Sequence, residues 1–181
     1  MKTKLIILFC TLFISNFTAQ NKYYTKSGTI TFESSVKSFE EVKATNNKVT
    51  SIFKSNTGEI AALALTKAFR FKIALMEEHF NENYAETNKF PKVKFTGKIE
   101  NYNIELLKKI SPVNIIGKLT FHGITNEINV AASIYQKNKK IYLTSSFTLN
   151  PENYGIKIPK IVRKKIAKEV DVILNFELSK K

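Results

Sequence analysis

Tryptophan is absent from this chain, histidine occurs only twice, and the single cysteine, Cys10, sits inside an N-terminal apolar run. If that run is an export signal, the mature chain has no disulfide, no thiolate nucleophile and no cysteine metal ligand. His79 and His122 match no zinc spacing, so neither a metal nor another cofactor is expected. No serine lies in a Gly-x-Ser-x-Gly elbow, and Glu77-Glu78 reads as the wet face of a helix, so no enzyme activity is expected. There is no internal repeat, low-complexity tract or Pro/Gly/Ser-rich linker, and the chain reads as one domain. Acidic residues are scarce: 15 Asp+Glu stand against 29 Lys+Arg, a net charge of +14. That balance favours anionic partners or simply solubility.

The first residues read as an address. Lys2 and Lys4 precede the apolar run Leu5–Ile14, which is too short to span a bilayer and ends in a polar stretch closing on Ala19-Gln20. A signal peptide over residues 1–19 is expected, leaving a single domain over residues 20–181 in the periplasm or secreted. Lipidation at Cys10 fits less well, because Phe9 precedes it and the run continues past it. Losing Lys2 and Lys4 leaves a net charge of +12, and export argues against a nucleic-acid partner. About 160 residues bury enough apolar surface to fold without staples.

Beyond the leader, short alternating runs recur, the signature of an all-β chain. Val93, Phe95, Gly97 and Ile99 alternate with charged or polar residues over Lys92–Glu100. The same period runs through Val113–Phe121, Ile124–Tyr135, Ile141–Leu149 and Val170–Leu178, with turns at Gly123 and Asn138-Lys139. Gly28–Val36, Lys48–Ser55 and Glu59–Thr66 complete eight antiparallel strands, which periodicity alone allows to close as a barrel or stack as a sandwich. Ile73, Met76, Phe80 and Tyr84 fall at helical spacing and predict an amphipathic helix over Ile73–Tyr84. Pro159 is a candidate start for a second short helix carrying Ile161, Val162 and Ile166.

Met76–Tyr84 followed by Lys89–Ile99, the hairpin Gly117–Thr125, and the closing stretches Asn153–Ile156 and Glu169–Leu178 resemble the YceI-like family in order and spacing. The resemblance covers roughly residues 28–178. It implies an eight-stranded, lipocalin-like antiparallel barrel with one or two short helices, holding an extended polyisoprenoid such as a prenyl quinone or prenyl phosphate and carrying no catalytic residue. The chain departs from the family at Leu65–Lys72, where an Arg-Asp-containing stretch would be expected, so the ligand's identity is not carried over with the fold.

A barrel of this size either fills with its own side chains or holds one small ligand. The candidate lining is Phe32, Phe95, Ile99, Leu119, Phe121 and Ile128, with Val130, Leu143, Phe147 and Phe176 on later strands. Phe69, Phe71, Met76 and Phe80 join them from the segment before and within the helix, which is placed at the barrel mouth as a lid or a plug. The small residues of Ile60-Ala61-Ala62-Leu63-Ala64-Leu65 would leave room for a chain or only relieve crowding. Lys157, Lys160, Arg163, Lys164, Lys165 and Lys168, interleaved with isoleucines and a valine, form a candidate contact for an acidic membrane surface. The alternative function is a filled barrel with a structural or interaction role.

Overall fold

The computed structural model describes residues 21–36, 40–163 and 166–181. The expected signal peptide, Cys10, Lys164 and Lys165 therefore lie outside the described residues. The chain runs β1 (Lys22–Ser35), β2 (Lys43–Lys54), β3 (Glu59–Leu65), β4 (Arg70–Phe71), α1 (Ala74–His79), β5 (Lys92–Ile99), β6 (Ser111–Phe121), β7 (Ile124–Lys137), β8 (Lys140–Leu149) and β9 (Ile166–Lys180).

Every neighbouring pair is antiparallel, in the order β1-β9-β8-β7-β6-β5-β3-β2, and β1 also pairs with β2 from Lys22↔Lys54 to Glu33↔Lys43. That last pairing closes eight strands into a barrel and leaves the ring without an open edge. β4 stays outside the ring. β3 pairs with β2 only over Thr50–Lys54, and β4 pairs with Ala44 and Thr45 further along the same strand.

Turn chemistry sets the register. His122-Gly123 between β6 and β7, and Asn138-Lys139 between β7 and β8, are two-residue loops with positive φ at both positions. Such turns match the strand twist. Gly123 is also required by space, since a Cβ there would lie 2.6 Å from the Phe90 ring.

Four sequence expectations change. β1 begins at Lys22 rather than Gly28, with Tyr23 and Tyr24 already paired to β2 and β9. β2 begins at Lys43 rather than Lys48, because the polar Asn46 is fully buried: its Nδ2 donates to the Leu65 carbonyl and its Oδ1 accepts from Lys48 N. The helix is α-helical only to His79, then widens into a π-turn over Phe80–Tyr84. Pro159 opens no second helix among the described residues. Residues 160–163 form a turn closed by Val162 N to Pro159 O, and Ile166 already belongs to β9.

The two ends of the barrel differ. At one end lie the β2–β3 turn, residues 100–110 and the Asn138-Lys139 turn, with the interior packed solid by Tyr23, Phe53, Ile99, Ile134, Ile141 and Leu178. Tyr102 caps this end by donating its hydroxyl to the Ser55 carbonyl at 2.7 Å, and burial pushes its pKa up to about 12. Leu107, from a short 3-10 turn, is buried beside it. The mouth-side ends of the strands, the described residues 40–42, 66–91 and 150–163 of the longer connections, and the tight 122–123 turn stand at the other end.

Candidate ligand-binding cavity

Alternation turns one face of each ring strand inward. At the end framed by the longer connections, those faces do not meet. They enclose a cavity of about 540 Å³, inside the ~300–1,000 Å³ range of small-molecule sites.

Phe32 on β1, Phe95 on β5, Leu119 and Phe121 on β6, and Ile128 and Val130 on β7 all line it. Leu143 and Phe147 on β8 and Phe176 on β9 complete the strand wall. Phe69, Phe71, Met76 and Phe80 line it from the segment spanning β4 and α1. Ile99 does not. It shares a strand face with Phe95 but is 2% exposed inside the packed end, so its place in the candidate lining is corrected to core. Depth along the strand, not the face, separates the two.

The space exists because small residues sit where large ones would close it. Ala62 and Ala64 are two of the three inward residues of β3, the third being Ile60. Gly97 and Gly117 are paired across β5 and β6, and a Cβ on either would fall 2.7 Å from Cζ of Phe95. The Phe95 ring can therefore lie against the wall over both glycines.

At the mouth, Phe80 packs on Phe32, Phe69 and Phe71 with ring centroids 5.3, 6.1 and 5.3 Å apart. Of the helical set, Met76, Phe80 and Tyr84 line the cavity and Ile73 does not. Glu77 is not simply solvated: it accepts from Phe71 N and from Arg70 Nη1, anchoring α1 to β4.

Charge is kept to the rim. Glu40 and His79 are the carboxylate and imidazole side chains of the lining among the described residues, and both are exposed. Ser34 near the mouth and Ser145 deeper in line the wall, but their hydroxyls already donate to the Ala167 and Ala131 carbonyls. Tyr154 is buried against Phe121, and its hydroxyl has no hydrogen-bond partner among the described residues. Burial pushes its pKa up, with the neighbouring Asn126 side chain drawing it partly back.

His122 joins three mouth segments. Nδ1 lies 3.0 Å from the Tyr154 carbonyl oxygen and Nε2 lies 2.7 Å from Glu86 Oε2, while Phe90 packs on the ring at 4.3 Å. An imidazolium donates to both oxygens, and either neutral tautomer donates to one.

Sequence reasoning passed over two sets of wall residues. Val93, Ile115, Val172 and Leu174 carry the same inward phase as their named neighbours and were legible from it. Ile156, Ile158 and Val162 line the mouth from the irregular stretch before β9, where no period signals a face, and Ile166 joins them as the first residue of β9. The basic residues Lys157, Lys160, Arg163 and Lys168 alternate with them and are exposed, and Ile161 projects at 88% exposure.

The closed antiparallel barrel is a fold shared with known proteins. The family model for the YceI-like domain matches residues 16–178. The chain belongs to the YceI-like family. Among solved structures, a polyisoprenoid binding domain from Saccharophagus degradans implicated in plant cell wall breakdown superposes with a TM-score of 0.75 at 12% identity, covering 90% of this chain and 99% of that one. Burkholderia cenocepacia BcnA follows with a TM-score of 0.69 at 12% identity over 83% and 96% of the two chains. A mutant YCEI protein of Campylobacter jejuni with a monobromobimane guest gives 0.64 at 15% identity over 79% and 87%. No curated protein matches the sequence. At these identities the structural likeness establishes the YceI-like fold, and the contents of the cavity are argued from its own walls.

Proposed function

We propose that this YceI-like protein is an exported, non-enzymatic carrier of an apolar chain ligand, a polyisoprenoid such as a prenyl quinone or prenyl phosphate, held inside the barrel. The observation that carries the reading is the cavity of about 540 Å³ whose charged groups are confined to the rim. A charged ligand group would be costly to bury there unpaired, whereas each methylene withdrawn from water contributes about 0.8 kcal/mol. The description of the Saccharophagus degradans neighbour as polyisoprenoid-binding supports the ligand class. The wall presents mainly aliphatic and aromatic side chains, and its two serine hydroxyls are bonded to backbone, a lining suited to holding a chain rather than transforming it.

Export rests on Lys2, Lys4, the apolar run and Ala19, and it places the carrier in the periplasm or outside the cell. Loading from a membrane is served by the exposed segment with Lys157, Lys160, Arg163 and Lys168 around Ile161, next to the cavity mouth. Lys164 and Lys165 extend the same basic stretch in sequence. Each cation near an anionic surface contributes about 1 kcal/mol, so the pair Lys157→Glu, Lys160→Glu should slow transfer from anionic vesicles and leave transfer from neutral ones unchanged.

The deciding experiment is gentle purification from the native compartment, followed by native mass spectrometry and lipid extraction. The expected result is a mature N-terminus within a residue or two of Gln20 and one prenyl chain per protein. A clean apo mass in repeated preparations would refute the carrier, and retention of residues 1–19 would refute the export.

A further inference from the structure

We infer that the cavity measures chain length, enclosing about three to four isoprene units and ending blind, so a longer chain is held by its terminal units with the remainder outside. This rests on the carrier reading above and adds the property by which ligands are selected.

The cavity has a floor. Ile60, Ile115, Val130, Leu143 and Phe176 belong both to its wall and to the packed core. Behind them Phe53, Ile99, Ile134, Ile141 and Leu178 are at most 2% exposed, and Tyr102 and Leu107 cap the far end. A chain entering from the mouth therefore has no way through.

The volume sets the length. At about 30 Å³ for each water-sized group, about 540 Å³ accommodates on the order of eighteen non-hydrogen atoms, as in three to four isoprene units. The depth is finite as well. Ile166 and Phe176 mark its extent on β9, about 33 Å along the strand and roughly 25 Å along a barrel axis to which strands tilt. Orientation follows from where the polar groups lie. Glu40 and His79 stand exposed at the rim, so the hydrocarbon end goes in first and a polar head stays at the mouth.

The test is pairwise competition among geraniol, farnesol, geranylgeraniol and solanesol, in order of increasing chain length, read by native mass spectrometry on the delipidated protein. Each step up to geranylgeraniol should tighten binding by about tenfold or more, because the added methyl and methylene groups leave water. Solanesol should gain nothing further, since its additional units stay outside. Leu143→Ala, which lowers the floor, should restore an advantage to solanesol. Ala62→Leu, which fills the wall without opening a void, should remove the advantage of geranylgeraniol over farnesol.

Affinity that keeps rising from geranylgeraniol to solanesol by the same factor, or a plateau that Ala62→Leu does not move, would overturn the length limit and leave the carrier standing. Binding of none of the four by protein that is folded by circular dichroism would overturn both.

Discussion

Truncating one side chain in each half of the barrel separates what is packed from what is hollow. Ile99→Ala removes three carbons from a site that is 2% exposed, surrounded by core, with no existing space to absorb the loss. Such a change costs about 2–5 kcal/mol through lost transfer energy and a new cavity. For a domain of this size, about 1 kcal/mol corresponds to a Tm shift of ~2–4 °C, so the expected fall is on the order of 5–15 °C. Phe147→Ala removes more atoms but only enlarges a cavity that is already there, from a side chain that is half-buried. Its stability cost should stay below about 2 kcal/mol, under the 3–5 kcal/mol of a fully packed phenylalanine. Ligand retention should show the reverse order, with Phe147→Ala releasing a prenol faster and Ile99→Ala holding it as the wild type does. Urea denaturation and calorimetry on delipidated protein give the first comparison, and release to acceptor vesicles gives the second. Equal destabilisation by the two variants would refute the reasoning, because it would mean that the open half is packed as tightly as the closed one.

Three further outcomes follow from particular contacts. Gly97→Ala would place a Cβ 2.7 Å from both the Phe95 ring and the Ile116 carbonyl, so it should destabilise by about 1–3 kcal/mol and reduce prenol uptake, measured by titration of the delipidated protein. His122→Ala removes the tie between Glu86 and the Tyr154 carbonyl, so it should lower the Tm and quicken ligand release while leaving the bound stoichiometry at one. Tyr102 has a folded pKa of about 12, above the ordinary tyrosine value. Its folded state therefore favours the protonated form, and its contribution is complete below about pH 10 and lost as pH rises toward 12. Tyr102→Phe should flatten that part of the alkaline stability curve in urea melts, and an unchanged slope would count against the burial of the phenol.

Much of the site was legible before the fold was known. Alternation in β5 to β9 is strict because one face meets water and the other does not, and Phe95, Leu119, Val130, Phe147 and Phe176 could be assigned inward from that period alone. The helical segment at the mouth was legible too, since Met76, Phe80 and Tyr84 recur at helical spacing beside Phe69 and Phe71. Less legible were β2, whose buried Asn46 breaks the apolar pattern while bonding to the Leu65 carbonyl, and the mouth residues before β9, which follow no period.

The sequence by itself determined the eight strands, their inward faces and the two-residue turns, because these depend on local alternation and on which residues tolerate positive φ. The tertiary structure decided the closure of β1 on β2, the pairing of β4 with β2 and the clasp of His122 on Glu86 and Tyr154, all of which join residues distant in sequence. It also decided which half of the barrel is filled. Phe95 and Ile99 share one face of one strand, four residues apart, and a period of two cannot distinguish them. Only the stagger of neighbouring strands and the caps at each end determine that Phe95 borders a cavity while Ile99 is packed on every side.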